Sequence, residues 1–243
     1  MFNCLQDSEN KAQDGPRVVI AITGGAQGIG LATARLVASR GASVSIFDSN
    51  PVTLEAVEEE FSTNKWPIHT FTADIRQADK RFGRLDSAVN AAGTVGKFHG
   101  QKPIALFDDD DWNLVMGINV NVARPSTRWL NGMMHSLRAE LRHMQPGGSI
   151  VNIASNLGSK GAPGYAPYAT SKHAGIRINV VSPGGTQGPL MRSVVGDNPP
   201  PPLSVLGKYG QPEEVAFQIA WLLGPESTHS SGSVFRVDGG EFC

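Results

Sequence analysis

The octapeptide Thr23-Gly24-Gly25-Ala26-Gln27-Gly28-Ile29-Gly30, with the run 18–22 before it, restricts the possible folds more than any other stretch of this chain. Residues 18–22 are apolar and rich in β-branched side chains, which suits a strand buried on both faces. Ile29, Ala32, Leu36 and Val37 then recur at helical spacing as far as Arg40, and Gly41 can close that helix. A chain leaving a strand must turn tightly at the glycines, which also let a pyrophosphate approach the backbone, and the helix start offers free N–H groups. Gly24, Gln27, Gly28, Ile29 and Gly30 are therefore candidate phosphate-binding residues. Glycine-rich turns are common in βα loops; this one gains meaning because the strand and the helix are both legible.

Asp48 ends the second apolar run, 24 residues after Gly24. A carboxylate there can accept hydrogen bonds from an adenosine ribose diol and would repel a 2'-phosphate. Neither Gln27 nor Ser49 is basic, so nothing nearby offsets that repulsion, and the expected cofactor is NAD rather than NADP.

Further strands are expected at 43–47, 68–73, 85–90, 149–154, 176–181 and 233–237, with helical segments between several of them. Pro212, Glu213 and Glu214 open one such helix, and Gly224-Pro225 ends it. This alternation argues for a parallel sheet covered on both sides. At 243 residues and 40% hydrophobic content the chain can bury the core of one large α/β domain, assigned to 17–243 behind a polar, disordered leader at 1–16. No apolar stretch near the start could act as a signal peptide or span a bilayer, so a cytoplasmic protein is expected. The net charge of -1 and the lack of a basic block argue against nucleic acid or a membrane surface as partner. Cys4 and Cys243 offer neither a disulfide framework nor zinc spacing, and the histidines are scattered. The acidic run 108–111 reads as a helix cap, so no metal is assigned. The four prolines at 199–202 mark an extended loop.

Tyr168 and Lys172 are four residues apart, which on a helix places both on one face. An ammonium beside a phenol favours the phenolate and makes it a usable acid or base near neutral pH. The rival phenol, Tyr165, is followed four residues later by Ala169 instead of lysine.

Along nearly its whole length the chain resembles the short-chain dehydrogenase/reductase family. The matching positions arrive in order: the 23–30 turn, Asp74-Ile75, Asn90-Ala91-Ala92-Gly93, Asn119, Ser155, the Tyr168 to Lys172 pair, Pro183-Gly184, and Val237-Asp238-Gly239-Gly240. The resemblance implies one doubly wound Rossmann-type domain with a mainly seven-stranded parallel sheet, and an oxidoreductase acting on a small-molecule alcohol or ketone. It gives Tyr168 the role of general acid or base and Ser155 that of orienting the substrate oxygen. Lys172 would bind the nicotinamide ribose and depress the Tyr168 pKa, while Asn119 would hold a water of the proton relay. Asp74 and Ile75 would lie by the adenine. Asn90, Ala91, Gly93, Pro183 and Gly184 would line the cofactor, and the family commonly forms homodimers or homotetramers.

Several stretches depart from the family pattern. Only ten residues, 75–84, cross between two strands, where a parallel crossover needs about 10 to 12 at the minimum. Lys172 stands four residues before the strand expected at Ile176, and the segment 122–131, with Pro125 and Trp129, interrupts a helix resuming at 132–144. Some helices are thus expected to be truncated or interrupted, a pattern of misplaced exon boundaries, and a non-catalytic relative is the alternative reading. Where many relatives carry threonine four residues past Gly184 this chain has Gly188, so Thr186 is the nearest hydroxyl for the nicotinamide carboxamide. The glycine- and proline-rich stretch 187–209 is expected to be a loop and a candidate lid over a small, largely apolar substrate.

Overall fold

Parallel pairing of β1 (Val19–Thr23) with strands on both sides places it in the interior of the sheet. A computed structural model describes residues 18–72, 85–94, 109–110, 132–155 and 177–241. The chain runs through α1 (Gly28–Ser39), β2 (Ser43–Asp48), α2 (Pro51–Thr63), β3 (Ile68–Thr72), β4 (Leu85–Asn90) and α3 (Gly132–His143). It continues through β5 (Met144–Ile153), β6 (Arg177–Pro183), α4 (Pro189–Val195), α5 (Pro212–Leu223) and β7 (Val234–Val237). The order across the sheet is β3-β2-β1-β4-β5-β6-β7, with every pair parallel. The expected doubly wound, seven-stranded parallel sheet is therefore present.

Side-chain alternation sorts the strands into two core layers. Ile20, Ile22, Val44, Ile46, Val89, Val151 and Val181 face one way and pack with α1, α2 and α5. Ala21, Phe47, Ala88, Ile150 and Ile178 face the other, where Leu137 and Leu141 of α3 cover them. Phe47 stacks on Phe71 at 4.8 Å on this second face. Strands buried on both sides need continuous apolar runs, which is why β1 was readable.

Local signals set the helix ends. Gly41 follows α1 at φ 93°, a conformation only glycine adopts without strain. Asn50 caps α2 by accepting from Val52 N at 3.0 Å, and Pro51 opens the helix. Glu214 accepts from Gln211 N at 2.8 Å and closes the first turn of α5.

Two expectations are corrected. The stretch 187–209 is not all loop: seven residues after Gly188 form α4, opened by Pro189 at the first turn. Met144, assigned to the preceding helix, instead begins β5 and pairs with Leu85. The register then shifts before Ser87 meets Ser149, and Gly147, at φ 84°, occupies the extra length. The leader 1–16 and the altered segments 75–84, 122–131 and 173–175 lie outside the described residues. Among the described residues no helix is long and apolar enough to cross a membrane.

The end of α5 is tied to the sheet by one cation. Arg177 at the start of β6 donates through Nη1 to Leu222 O at 3.0 Å, Ser227 O at 2.9 Å and Ser227 Oγ at 2.8 Å. Ser149 Oγ donates to the same Leu222 carbonyl at 2.9 Å. The Leu222 carbonyl is an orphan acceptor at the C-terminus of α5, where positive charge is favoured. Arg177→Ala is expected to lower unfolding free energy by about 2 kcal/mol in urea titrations at pH 7. Arg177→Lys should recover only part of it, because one ammonium cannot span the same set of acceptors.

Candidate active site

All the strands point their C-terminal ends the same way, and the chain departs in opposite directions from β1 and β4 there. A crevice at such a switch point is where open α/β sheets bind ligands. The glycine turn leaves β1 at this point. Gly24, at φ 65°, sits so close to the end of β4 that a Cβ there would be 2.7 Å from Ala92 Cα. At Gly30 a Cβ would be 2.2 Å from Gly24 O, so α1 can start beside the turn only with glycine there. Gly28 is different: at φ 53° its missing Cβ would meet nothing within 4 Å. The open space lies at the first residue of α1, whose N-cap Gln27 makes no side-chain capping bond. The backbone N–H groups of this first turn have no intrahelical acceptors.

Asp48 stands beside this turn at the end of β2. Its Oδ2 accepts from Ala26 N at 3.1 Å and its Oδ1 from Asn50 N at 3.2 Å. Two backbone amides thus fix the carboxylate next to the glycines, and its remaining lone pairs can still receive a pair of hydroxyls.

The register of the sheet aligns three polar side chains in one row under the crevice: Thr23 opposite Asn90, and Asn90 opposite Asn152. Thr23 Oγ1 donates to Asn90 Oδ1 at 3.4 Å. Asn90 Nδ2 donates to Asn152 Oδ1 at 2.9 Å and to Glu140 Oε2 of α3 at 3.2 Å. Thr23 also holds the chain beyond β4, since its carbonyl accepts from Ala91 N at 3.0 Å and its Oγ1 from Ala92 N at 3.5 Å. Burial pushes the Glu140 carboxyl up to about 7, against a smaller opposing effect of the Asn90 hydrogen bond.

Ser155 is exposed just past the end of β5. After β6, Gly184 N donates to Val237 O at 3.1 Å, and its bare Cα faces Asp238, whose Cβ would be 2.8 Å from an added methyl. Thr186 Oγ1 donates to Gly184 O at 2.9 Å. Gly210 N donates to Gly185 O at 2.9 Å and Gln187 N to Gly210 O at 2.8 Å, so the stretch 187–209 is pinned at its base. Leu190, Leu203, Val205 and Leu206 are exposed along it.

The structure therefore brings Gly24, Gln27, Gly28, Ile29, Gly30 and Asp48 together, with Asn90, Ala91 and Gly93 at the adjacent end of β4. Ser155, Pro183, Gly184 and Thr186 follow at the ends of β5 and β6 on the same edge of the sheet. Asp74, Ile75, Asn119, Tyr168 and Lys172 lie outside the described residues. Glu140 and Asn152 were missed by the sequence reading. The available signal was a carboxylate inside an apolar helical stripe, between Leu137, Leu141 and Met144.

Sheet order, glycine turn and the acidic residue that ends β2 define a nucleotide-binding α/β protein of the Rossmann type. Residues 18–179 match the family model for short chain dehydrogenase. The short-chain dehydrogenase/reductase ABA4 of Pyricularia oryzae is 39% identical over 253 residues, covering 91% of this chain and 90% of that protein. The 3-oxoacyl-[acyl-carrier-protein] reductase FabG of Thermotoga maritima is 30% identical, covering 91% of this chain and 96% of the relative. The crystal structure of a short-chain dehydrogenase/reductase, a glucose/ribitol dehydrogenase, from Brucella melitensis superposes with a TM-score of 0.78 at 27% identity, over 93% of this chain and 97% of that one. This chain belongs to the short-chain dehydrogenase/reductase family, whose members are oxidoreductases that use NAD(P).

The raised Glu140 pKa has a definite sign for stability. Between about 4.5 and about 7 the folded chain holds a proton that the unfolded chain releases. Stability is therefore lost as pH rises through that window, by on the order of 3 kcal/mol. Glu140→Gln, which cannot ionise, should remove this contribution. The check is the difference in urea unfolding free energy between pH 5 and pH 8 for both proteins. Equal differences would mean that Glu140 does not titrate in this range.

Proposed function

We propose that this chain is an NAD(H)-dependent oxidoreductase interconverting a secondary alcohol and a ketone on a small, largely apolar substrate. The observation that carries the reading is the glycine turn with Asp48 anchored beside it: Gly28 leaves room where a side chain would otherwise stand, and Asp48 Oδ2 accepts from Ala26 N at 3.1 Å. Close backbone approach and free helix N–H groups suit a diphosphate. The carboxylate suits a ribose diol and opposes a 2'-phosphate.

In this reading Gly24, Gln27, Gly28, Ile29 and Gly30 hold the diphosphate and Asp48 the adenosine ribose, with Asp74 and Ile75 beside the adenine. Asn90, Ala91 and Gly93 border the nicotinamide half, and Pro183, Gly184 and Thr186 approach it from the end of β6. When bound, the nicotinamide supplies or accepts the hydride. Tyr168 gives or takes the proton at the substrate oxygen, and Ser155 orients that oxygen by a hydrogen bond. Lys172 favours the phenolate of Tyr168 and binds the nicotinamide ribose, while Asn119 holds the water that extends the proton path. The exposed Leu190, Leu203, Val205 and Leu206 support an apolar substrate under a lid at 187–209, whose pinned base suits a hinged movement.

A homodimer or homotetramer belongs to the same reading. Strand β7 is an edge of the sheet, and Phe217, Trp221 and Val234 are exposed on α5 and β7 beside it.

Two measurements test the proposal. Saturating NADH should raise the melting temperature, since a ligand at about 100 times its Kd adds about 2.7 kcal/mol, and NADPH should do less. Asp48→Ser should narrow the NADH-over-NADPH affinity ratio by about tenfold, and an unchanged ratio would remove Asp48 from cofactor choice. Separately, small secondary alcohols can be screened with NAD, beginning with cyclohexanol, because a relative from Acinetobacter that is 30% identical is named cyclohexanol dehydrogenase. On the best substrate, Tyr168→Phe should keep NADH affinity while turnover falls by about 100-fold or more. Unaltered turnover would sink the mechanism.

A further inference from the structure

Glu140 lies on α3, outside every residue given a role above, and is only 2% exposed. Burying a carboxyl is costly, and an apolar side chain at the same place in a stripe with Leu137 and Leu141 would pack at lower cost. Its described partner is the amide of Asn90, itself 1% exposed. That amide has two N–H groups, one donated to Asn152 at 2.9 Å and the other to Glu140 at 3.2 Å. Its oxygen accepts from Thr23. Remove the Glu140 oxygen and one buried N–H is orphaned, so rotating the amide becomes a competitive way to satisfy it.

Rotation would be felt at the cradle. Turning Asn90 places an N–H where Thr23 Oγ1 now donates, and Thr23 is the residue that accepts from Ala91 N and Ala92 N. Ala92 in turn touches Gly24 so closely that a Cβ at Gly24 would lie 2.7 Å from its Cα and its N. The chain beyond β4 therefore has little freedom to move without displacing the glycine turn. A second observation lies one helical turn before Glu140 on the same face: Ser136 is buried, and its Oγ has no hydrogen-bond partner among the described residues. This face of α3 thus carries more polar capacity than packing requires.

We propose that Glu140 is a positioning residue for the cofactor cradle: by accepting from Asn90 Nδ2 it holds the backbone of residues 90–92 against the Gly24 turn. The inference rests on the cofactor reading above for its consequence, and on the hydrogen bonds alone for its mechanism. It requires an acceptor at 140 and not a charge.

The test uses the full chain with Glu140→Leu, Glu140→Met and Glu140→Gln. Amide hydrogen exchange without cofactor is followed in peptides covering 90–94 and in a control peptide covering β7, and NADH affinity is measured by fluorescence titration. In Leu or Met, exchange at 90–94 should rise at least about tenfold relative to β7, and NADH affinity should fall by about tenfold. Gln, which restores an acceptor, should return exchange to the parent rate and affinity to within about twofold. Met keeps the test open should Leu fail to fold, because its unbranched chain adapts to irregular space. Unchanged exchange at 90–94 in a folded Leu or Met variant overturns the proposal, as does a Gln variant as impaired as Leu. If the parent binds neither NADH nor NADPH while exchange responds as described, the cofactor reading falls and the contact stands.

Discussion

Everything at the functional end of this molecule depends on how closely the turn after β1 approaches the chain after β4. Parallel pairing of β1 and β4 brings Thr23 opposite Asn90, and the two chains then diverge around a crevice. Glycine at 24 allows the contact with Ala92, and glycine at 30 allows α1 to start beside it. A methyl group at either position would meet backbone atoms, which cannot rotate aside as a side chain can. The shape of the crevice is therefore set by main chain, with Asp48 pinned to the same turn by Ala26 N.

Beneath that contact the sheet gives up apolar packing for hydrogen bonds. Thr23, Asn90 and Asn152 replace what would be one more layer of valine and isoleucine, and Glu140 closes the row from α3. Such a network is favourable only when its members are satisfied, and it then restricts the backbone to one arrangement. The opposite face of the same strands shows the contrast. There Ile22, Val89 and Val151 pack without polar atoms against α1 and α5, which suits support more than placement.

The far end of β6 adds a third contribution. Gly184 and the turn at 238–241 pack against one another, and Glu241 Oε2 accepts from Gly185 N at 3.1 Å. The bridge between Thr186 and Gly210 then closes the base of the stretch carrying α4 and the exposed leucines. The segment is thus tied at its base and carries exposed apolar side chains.

Much of this was legible in the residues alone. A continuous apolar, β-branched run marked β1, because a strand covered on both faces needs apolar side chains throughout. Glycine at 24, 28 and 30, and aspartate at 48, follow from local steric and charge requirements, which act over a few residues and leave a direct record. Met144 was misassigned because its pairing with Leu85 is made across 59 positions of chain, where helical periodicity carries no information. The short helix α4 was hidden by the glycine and proline density around it. Glu140 was missed because a single carboxylate in an apolar stripe reads as a surface residue until a helix face is laid on a sheet. The order of elements and the chemistry at each strand end were thus determined locally. Only tertiary structure decided which strand ends meet, and that Glu140 faces Asn90, because register and burial arise from contacts between segments far apart in the chain.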